Sequence, residues 1–274
     1  MRQGVLDLRE FYASRLGRAS RRMIGRKVSE AWPRLAGLDV LALGYATPFL
    51  DGGGEDARRA VAAMPAAQGV EVWPAGARNR SCLVEEASLP FVNALFDRVL
   101  AVHALEESDN PLALLREVWR VLAPTGRVII AVTARHGLWA NAEATPFGHG
   151  RPFSRRQLER LVREADLEPL GWTRALYAPP LNWSSGWAEG FEQIGARLWP
   201  PFAGVILMEA VKQSFAVRPK GQRVRVRAPA RPAYQPAPAG RGLLPFGPLS
   251  GKSLGASGEA VHRSRTRNEE ACLP

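Results

Sequence analysis

The chain has 274 residues, 46% hydrophobic and 23% charged, with a formal net charge of +11, which allows one substantial core plus extensions and excludes a wholly disordered protein. Its longest apolar runs, VIIAV (128–132) and VILM (205–208), are strand-sized and far below the roughly 18 residues of a membrane helix. Two cysteines, Cys82 and Cys272, argue against a disulfide framework, and the charged stretch MRQGVLDLREFY is no secretory signal, so a cytoplasmic setting is expected.

The positive charge sits at the two ends. Residues 1–37 carry nine Lys/Arg against three Asp/Glu, residues 215–274 carry eleven against three, and the stretch between carries 17 against 20. Three segments follow: N-terminal basic helices (1–37) acting as a lid or cap, a folded domain (38–214), and a disordered basic tail (215–274) rich in Pro, Gly and Arg.

Within residues 5–32, Leu8, Phe11, Tyr12 and Leu16 share one helical face, and Ile24, Val28, Ala31 and Trp32 share another, with a break expected near residues 17–20. From Leu38 the pattern changes to strand-sized apolar runs: LDVLALG (38–44), VEVW (70–73), SCLV (81–84), DRVLAVH (97–103), GRVIIAV (126–132), PLGWTRALYA (169–178) and GVILMEAV (204–211). Helices lie between them. Asn110 caps one that begins at Pro111 and buries Leu114, Leu115, Val118, Val121 and Leu122. Ser154 and Gln157 form a capping box before Leu158, Leu161, Val162 and Ala165, and residues 187–199 form a further helix. Strands alternating with helices predict an α/β fold: a Rossmann-like, doubly wound sheet with helices on both faces.

Ligands of such sheets bind beyond the carboxyl ends of the strands, commonly after the first one, and this directs attention to Gly44. The tail's GPLSGKS (247–253) mimics a phosphate loop, but Phe246 stands where the motif needs glycine and no strand precedes it. No Cys/His cluster has metal-ligand spacing, so no metal is expected.

VLALGYATP (40–48), EEASLPF (85–91), FDRVLAVHALE (96–106), LLREVWRVLAPTGRVII (114–130) and FSRRQLERLVREADLEPL (153–170) together resemble a class I S-adenosylmethionine-dependent methyltransferase, of the type 11-like branch with an acid before LPF. The resemblance implies a mostly parallel sheet with an antiparallel last strand, and S-adenosyl-L-methionine as cofactor. It implies that Gly44, Tyr45 and Ala46 turn beside the methionine moiety, that Glu85 and Glu86 meet the adenine, and that His103 borders the sulfonium. The chain departs from V-L-D-L-G-x-G-T-G at Ala42, Ala46 and Pro48, and VEVWPAG offers no ribose-binding acid, leaving Trp73 to stack on the cofactor or to serve as core.

Methyl transfer from a sulfonium rests on alignment and desolvation, so no fixed catalytic residue is required. His149 and Arg151, in TPFGHGRPFS (145–154), are the candidate acceptor-side residues, with His149 as a base or as a loop-ordering histidine. Three functions remain open: a methyltransferase acting on a small molecule or protein side chain, a lapsed methyltransferase fold serving as a regulatory module, and a binder of nucleic acid or anionic surfaces through the basic ends. The absence of an Asn-Pro-Pro-aromatic tetrapeptide after the fourth strand disfavours the branches that methylate nucleic-acid amino groups.

Overall fold

The computed structural model describes residues 3–50, 54, 56–181 and 202–213. Two helices, α1 (Val5–Ala13) and α2 (Arg15–Ala31), precede β1 (Asp39–Gly44), β2 (Arg59–Pro65), β3 (Ser81–Val84), β4 (Phe96–Val102), α3 (Pro111–Val121), β5 (Leu122–Thr133), α4 (Arg155–Glu164), β6 (Leu167–Ala175) and β7 (Val205–Lys212). The strands form one seven-stranded sheet in the order β3-β2-β1-β4-β5-β7-β6, in which β7 runs antiparallel to both neighbours. The doubly wound sheet with its antiparallel last strand is therefore present as expected.

Strand alternation divides the core in two. Val40 and Ala42 of β1, Leu100 and Val102 of β4, and Ile129 and Ala131 of β5 point to the face covered by α1 and α2. Leu41, Leu43, Val99, Ala101, Val128 and Ile130 point to the face covered by α3 and α4. Asn110 and Ser154 cap α3 and α4 through Ala113 N at 3.0 Å and Gln157 N at 3.3 Å, as their sequence signals require.

Two expectations need correcting. The second strand is RAVAAMP, not VEVW, and residues 70–72 adopt no regular structure. VEVW alternates and is β-branched, whereas RAVAAMP is alanine-rich and has weak strand propensity. Tertiary packing decides the matter: Ala60 and Ala62 are small enough to let the N-terminal helices lie close on that face. The helix break lies at Ser14, whose backbone is extended and whose Oγ accepts from Gly17 N at 3.0 Å. Gly17 instead lies inside α2, where a Cβ would collide with the Phe11 carbonyl.

The crossovers on the α1/α2 face are reduced. After β1 the described chain forms only a 3-10 turn, Thr47–Phe49, and residues 66–80 between β2 and β3 contain no helix. The N-terminal helices take the place of the missing crossover helices: Leu8, Ile24 and Val28 join the same hydrophobic cluster as β1 and β2. At the end of α2 the Trp32 indole donates to Glu209 Oε1 on β7 at 3.0 Å. Residues of the segment expected as a lid or cap thus join the core. The expected helix at 187–199, the tail and GPLSGKS lie outside the described residues.

Candidate functional site

At the carboxyl edge of the sheet, Gly44 ends β1 with φ +74°, a left-handed backbone that favours glycine. A Cβ there would collide with the Val102 carbonyl and stand 3.0 Å from both His103 O and Ala104 Cβ. The neighbouring amide, Tyr45 N, donates to Val102 O at 2.8 Å. Gly44 is therefore demanded by the junction of β1 with the end of β4, whether or not a ligand also lies against it. Ala46 has φ −94° and ψ −8°, a right-handed conformation open to any residue, so its departure from glycine costs nothing in the backbone.

The space over this loop is occupied by aromatic side chains. Tyr12 of α1 stacks on Tyr45 with ring centroids 5.7 Å apart and stands edge-on to Phe49 at 5.5 Å. Its hydroxyl lies 2.8 Å from His103 Nε2, and Phe147 packs against the His103 ring with centroids 4.9 Å apart. Burial drives His103 down to a pKa of about 3 and raises the Tyr12 phenol well above its ordinary value, so a neutral imidazole meets a neutral phenol. His103 also has φ +50°, a strained backbone for a non-glycine residue of the kind that gathers at functional sites.

The sequence reading passed over two buried residues beside this cluster. Gln68, just after β2, donates to His103 O at 3.2 Å while its own backbone carbonyl accepts from Val5 N at 2.7 Å, tying α1 to the edge. Glu106 accepts from Thr133 N at 3.0 Å, and burial pushes its pKa up to about 7. Gln68 Oε1 and Ser108 Oγ are buried and make no hydrogen bond among the described residues, while the Glu106 carboxyl faces the Thr133 hydroxyl. Buried polar atoms without a partner are unusual in a folded core. No motif announced them; the only signal was a polar stretch, EES, after an apolar strand.

Beyond it, a cavity of about 390 Å³ is lined by Ala66 and Ala67 after β2, Glu85, Glu86 and Ala87 after β3, and Ser108 after β4. The loop carrying the two glutamates is held from α3. Arg120 donates to the carbonyls of Leu89 and Phe91, at 2.8 and 2.7 Å, and Glu117 accepts from Leu89 N at 2.8 Å.

The structure therefore brings Gly44, Tyr45, Ala46, Glu85, Glu86 and His103 to one edge and leaves Trp73 away from it. The Trp73 carbonyl accepts from Arg80 N, just before β3, and its ring is the neighbour of Gly54, before β2. The backbone contact lies at the amino edge of β3, and the ring belongs to the core. With β2 reassigned, the position for a ribose-binding acid falls at Ala66 to Gln68, where no acid stands. His149 sits in the loop ahead of α4 with Nε2 2.8 Å from Glu143 O, an arrangement that orders the loop. The Arg151 amide donates to Glu106 O at 2.7 Å and its side chain is exposed. Among the described residues no group of three or more His, Cys, Asp or Glu could hold a metal ion, and no helix is long and apolar enough to cross a membrane.

Residues suited to an adenosine are present: a cavity edged by Glu85 and Glu86, with buried polar atoms beside it. The methionine end does not fit in this conformation, because Tyr12 lies over Tyr45 and against His103.

Residues 44–130 match the family described as a methyltransferase domain. Over 114 residues the chain is 30% identical to uncharacterized proteins of Mycobacterium tuberculosis and Mycobacterium bovis, an alignment covering 38% of this chain and 40% of each relative. The chain thus spans about 40% of the length of the curated relatives it matches. Among solved structures, it is similar to a chain of the complex between the Haloferax volcanii Trm112 methyltransferase activator and a methyltransferase, with a TM-score of 0.56, 16% identity, and coverage of 78% of this chain and 100% of that one. A second is an S-adenosylmethionine-dependent methyltransferase from Archaeoglobus fulgidus, with a TM-score of 0.50, 14% identity, and coverage of 70% and 95%. At these identities the structural likenesses establish the shared fold, a Rossmann-like class I methyltransferase fold.

Proposed function

We propose, on the premise that residues 44–130 are a methyltransferase domain, that this chain transfers a methyl group from S-adenosyl-L-methionine to a small-molecule or protein acceptor. The observation that carries this reading is the placement of Gly44, Glu85 and His103 around one carboxyl edge, beside the cavity lined by Glu85, Glu86 and Ala87. Glu85 would accept from the adenine amino group, with the backbone after it donating to the ring. When bound, the cofactor supplies an electrophilic methyl on a cationic sulfur. The residues around Gly44 suit that cation: His103 is held neutral by burial, and Tyr45 and Phe147 present aromatic faces and exclude water. Binding at full length requires Tyr12 to leave Tyr45, so α1, whose chain passes into α2 through the extended Ser14, is the element that must move.

A second reading, a lapsed methyltransferase fold acting as a binding or regulatory module, draws on the same Tyr12–His103 contact taken as permanent. Calorimetric titration with S-adenosylhomocysteine separates the two. The enzyme reading expects saturable binding by the intact chain, weakened by Glu85→Ala. No binding by either the intact chain or its Tyr12→Ala variant would leave the second reading standing.

A further inference from the structure

We propose that the carboxyl end of β5 and the amino end of α4 form a separate binding site for a small organic phosphate. A cavity of about 430 Å³ opens there between Arg135, Arg155, Arg156 and Arg174. Residues 38–214 carry more acids than bases, 20 against 17, yet four of those arginines converge on this one hollow. Glu159 is the one acid in its lining, and it is already engaged by Arg155 Nε at 2.7 Å.

Two features favour a bound anion, the first of them at some cost to the free protein. Arg155 and Arg156 occupy the first two positions of α4, whose first turn holds no acid. A helix start carries partial positive charge, so cations are disfavoured there and an oxyanion is favoured. The capping box employs the amides of Ser154 and Gln157, so those of Arg155 and Arg156, which no carbonyl of the helix can reach, stay available at the mouth. Trp172, 38% exposed, meanwhile supports two guanidinium groups, with Arg155 4.3 Å and Arg174 4.9 Å from its ring. Guanidinium groups held against a ring keep fewer orientations, and their fork of donors suits the paired hydrogen bonds that a phosphate accepts.

The floor narrows the ligand class. Ala134, Phe153 and Ile206 are buried and apolar, and the volume falls in the range of small-molecule pockets and exceeds what a bare phosphate needs. The ligand therefore combines a phosphomonoester with an apolar or aromatic body. A nucleic-acid backbone would call instead for a stripe of cations along an open surface.

The test is titration of the full chain, at constant ionic strength in chloride, with phenyl phosphate, inorganic phosphate and a short DNA duplex. Phenyl phosphate is expected to saturate at one site and to bind more tightly than inorganic phosphate. Arg156→Gln with Arg174→Gln should weaken it at least ten-fold, whereas Arg263→Gln with Arg265→Gln, near the end of the chain, should leave it unchanged. Arg135→Gln, which alters neither α4 nor β6, should weaken it several-fold and serves if the paired variant fails to fold. Unchanged affinity in the pocket variants, equal loss in the Arg263/Arg265 variant, or binding of the duplex alone would each overturn the proposal.

Discussion

Tyr12 is the residue on which the state of the proposed cofactor crevice turns, and its replacement separates packing from hydrogen bonding. The side chain is 6% exposed and touches Tyr45, Phe49 and His103. Truncating a buried aromatic to alanine costs about 3–5 kcal/mol when the surroundings do not collapse. Tyr12→Phe keeps the ring and removes only the hydroxyl, which leaves His103 Nε2 buried without its partner, at about 1–3 kcal/mol. Urea unfolding should therefore rank intact chain, Phe variant and Ala variant in that order of falling stability. If docking of α1 opposes the cofactor, weakening that docking returns part of the same free energy to binding, and about 1.4 kcal/mol appears as ten-fold tighter binding. S-adenosylhomocysteine should thus bind Tyr12→Ala at least ten-fold more tightly than the intact chain. Two results refute the reasoning: a loss below about 1 kcal/mol on truncation, which means that α1 is not docked as described, or weaker ligand binding, which makes Tyr12 a cofactor contact instead of an obstacle.

Three further outcomes follow from the same geometry. Burial raises Glu106 from 4.5 to about 7, so its protonated form stabilises the fold fully below pH 4.5 and that contribution, about 3 kcal/mol, is lost as pH rises through 7. His103, lowered from 6.5 to about 3, acts in the opposite sense: its contribution of about 5 kcal/mol is complete above pH 6.5 and disappears as pH falls toward 3. Stability should therefore peak between these limits, and Glu106→Gln should gain about 3 kcal/mol relative to the intact chain between pH 4.5 and 7; a gap that does not change with pH disproves the assignment. Gly44→Ala should destabilise by more than the roughly 1–2 kcal/mol of left-handed strain alone, because its Cβ meets the Val102 carbonyl, and a measured loss below about 1 kcal/mol by denaturant titration would show that β1 and β4 are less closely joined. Arg120→Ala removes the bonds to Leu89 O and Phe91 O and should cost about 2 kcal/mol, with faster amide exchange confined to residues 85–95; unchanged exchange there would mean that the loop holds itself.

Much of the fold was legible because local signals and tertiary packing agreed. The Asn110 cap with Pro111 behind it, the Ser154–Gln157 box, and the apolar runs that became β1, β3, β4, β5, β6 and β7 each depend on neighbours within a few residues, which sequence displays directly. The second strand was not legible, since alanine-rich RAVAAMP is a strand only because a close-packed helix layer lies over it, and that layer comes from the first 31 residues. Misplacing it moved the expected ribose-binding acid to Trp73, at the wrong edge of the sheet. Gly44 stood out because ligands of such sheets bind after the first strand, and Glu85, Glu86 and His103 were named through the family resemblance; all four lie at the ends of the strands they follow. Tyr12, Gln68 and Glu106 were not named as site residues, because their importance comes from partners 91, 35 and 27 residues away in the chain. Helix ends, turns and strand alternation were written in the sequence by itself, since they rest on short-range geometry. Whether the crevice over Gly44 stands open or is filled by α1 was decided only by tertiary structure, since it depends on how distant segments share one limited volume.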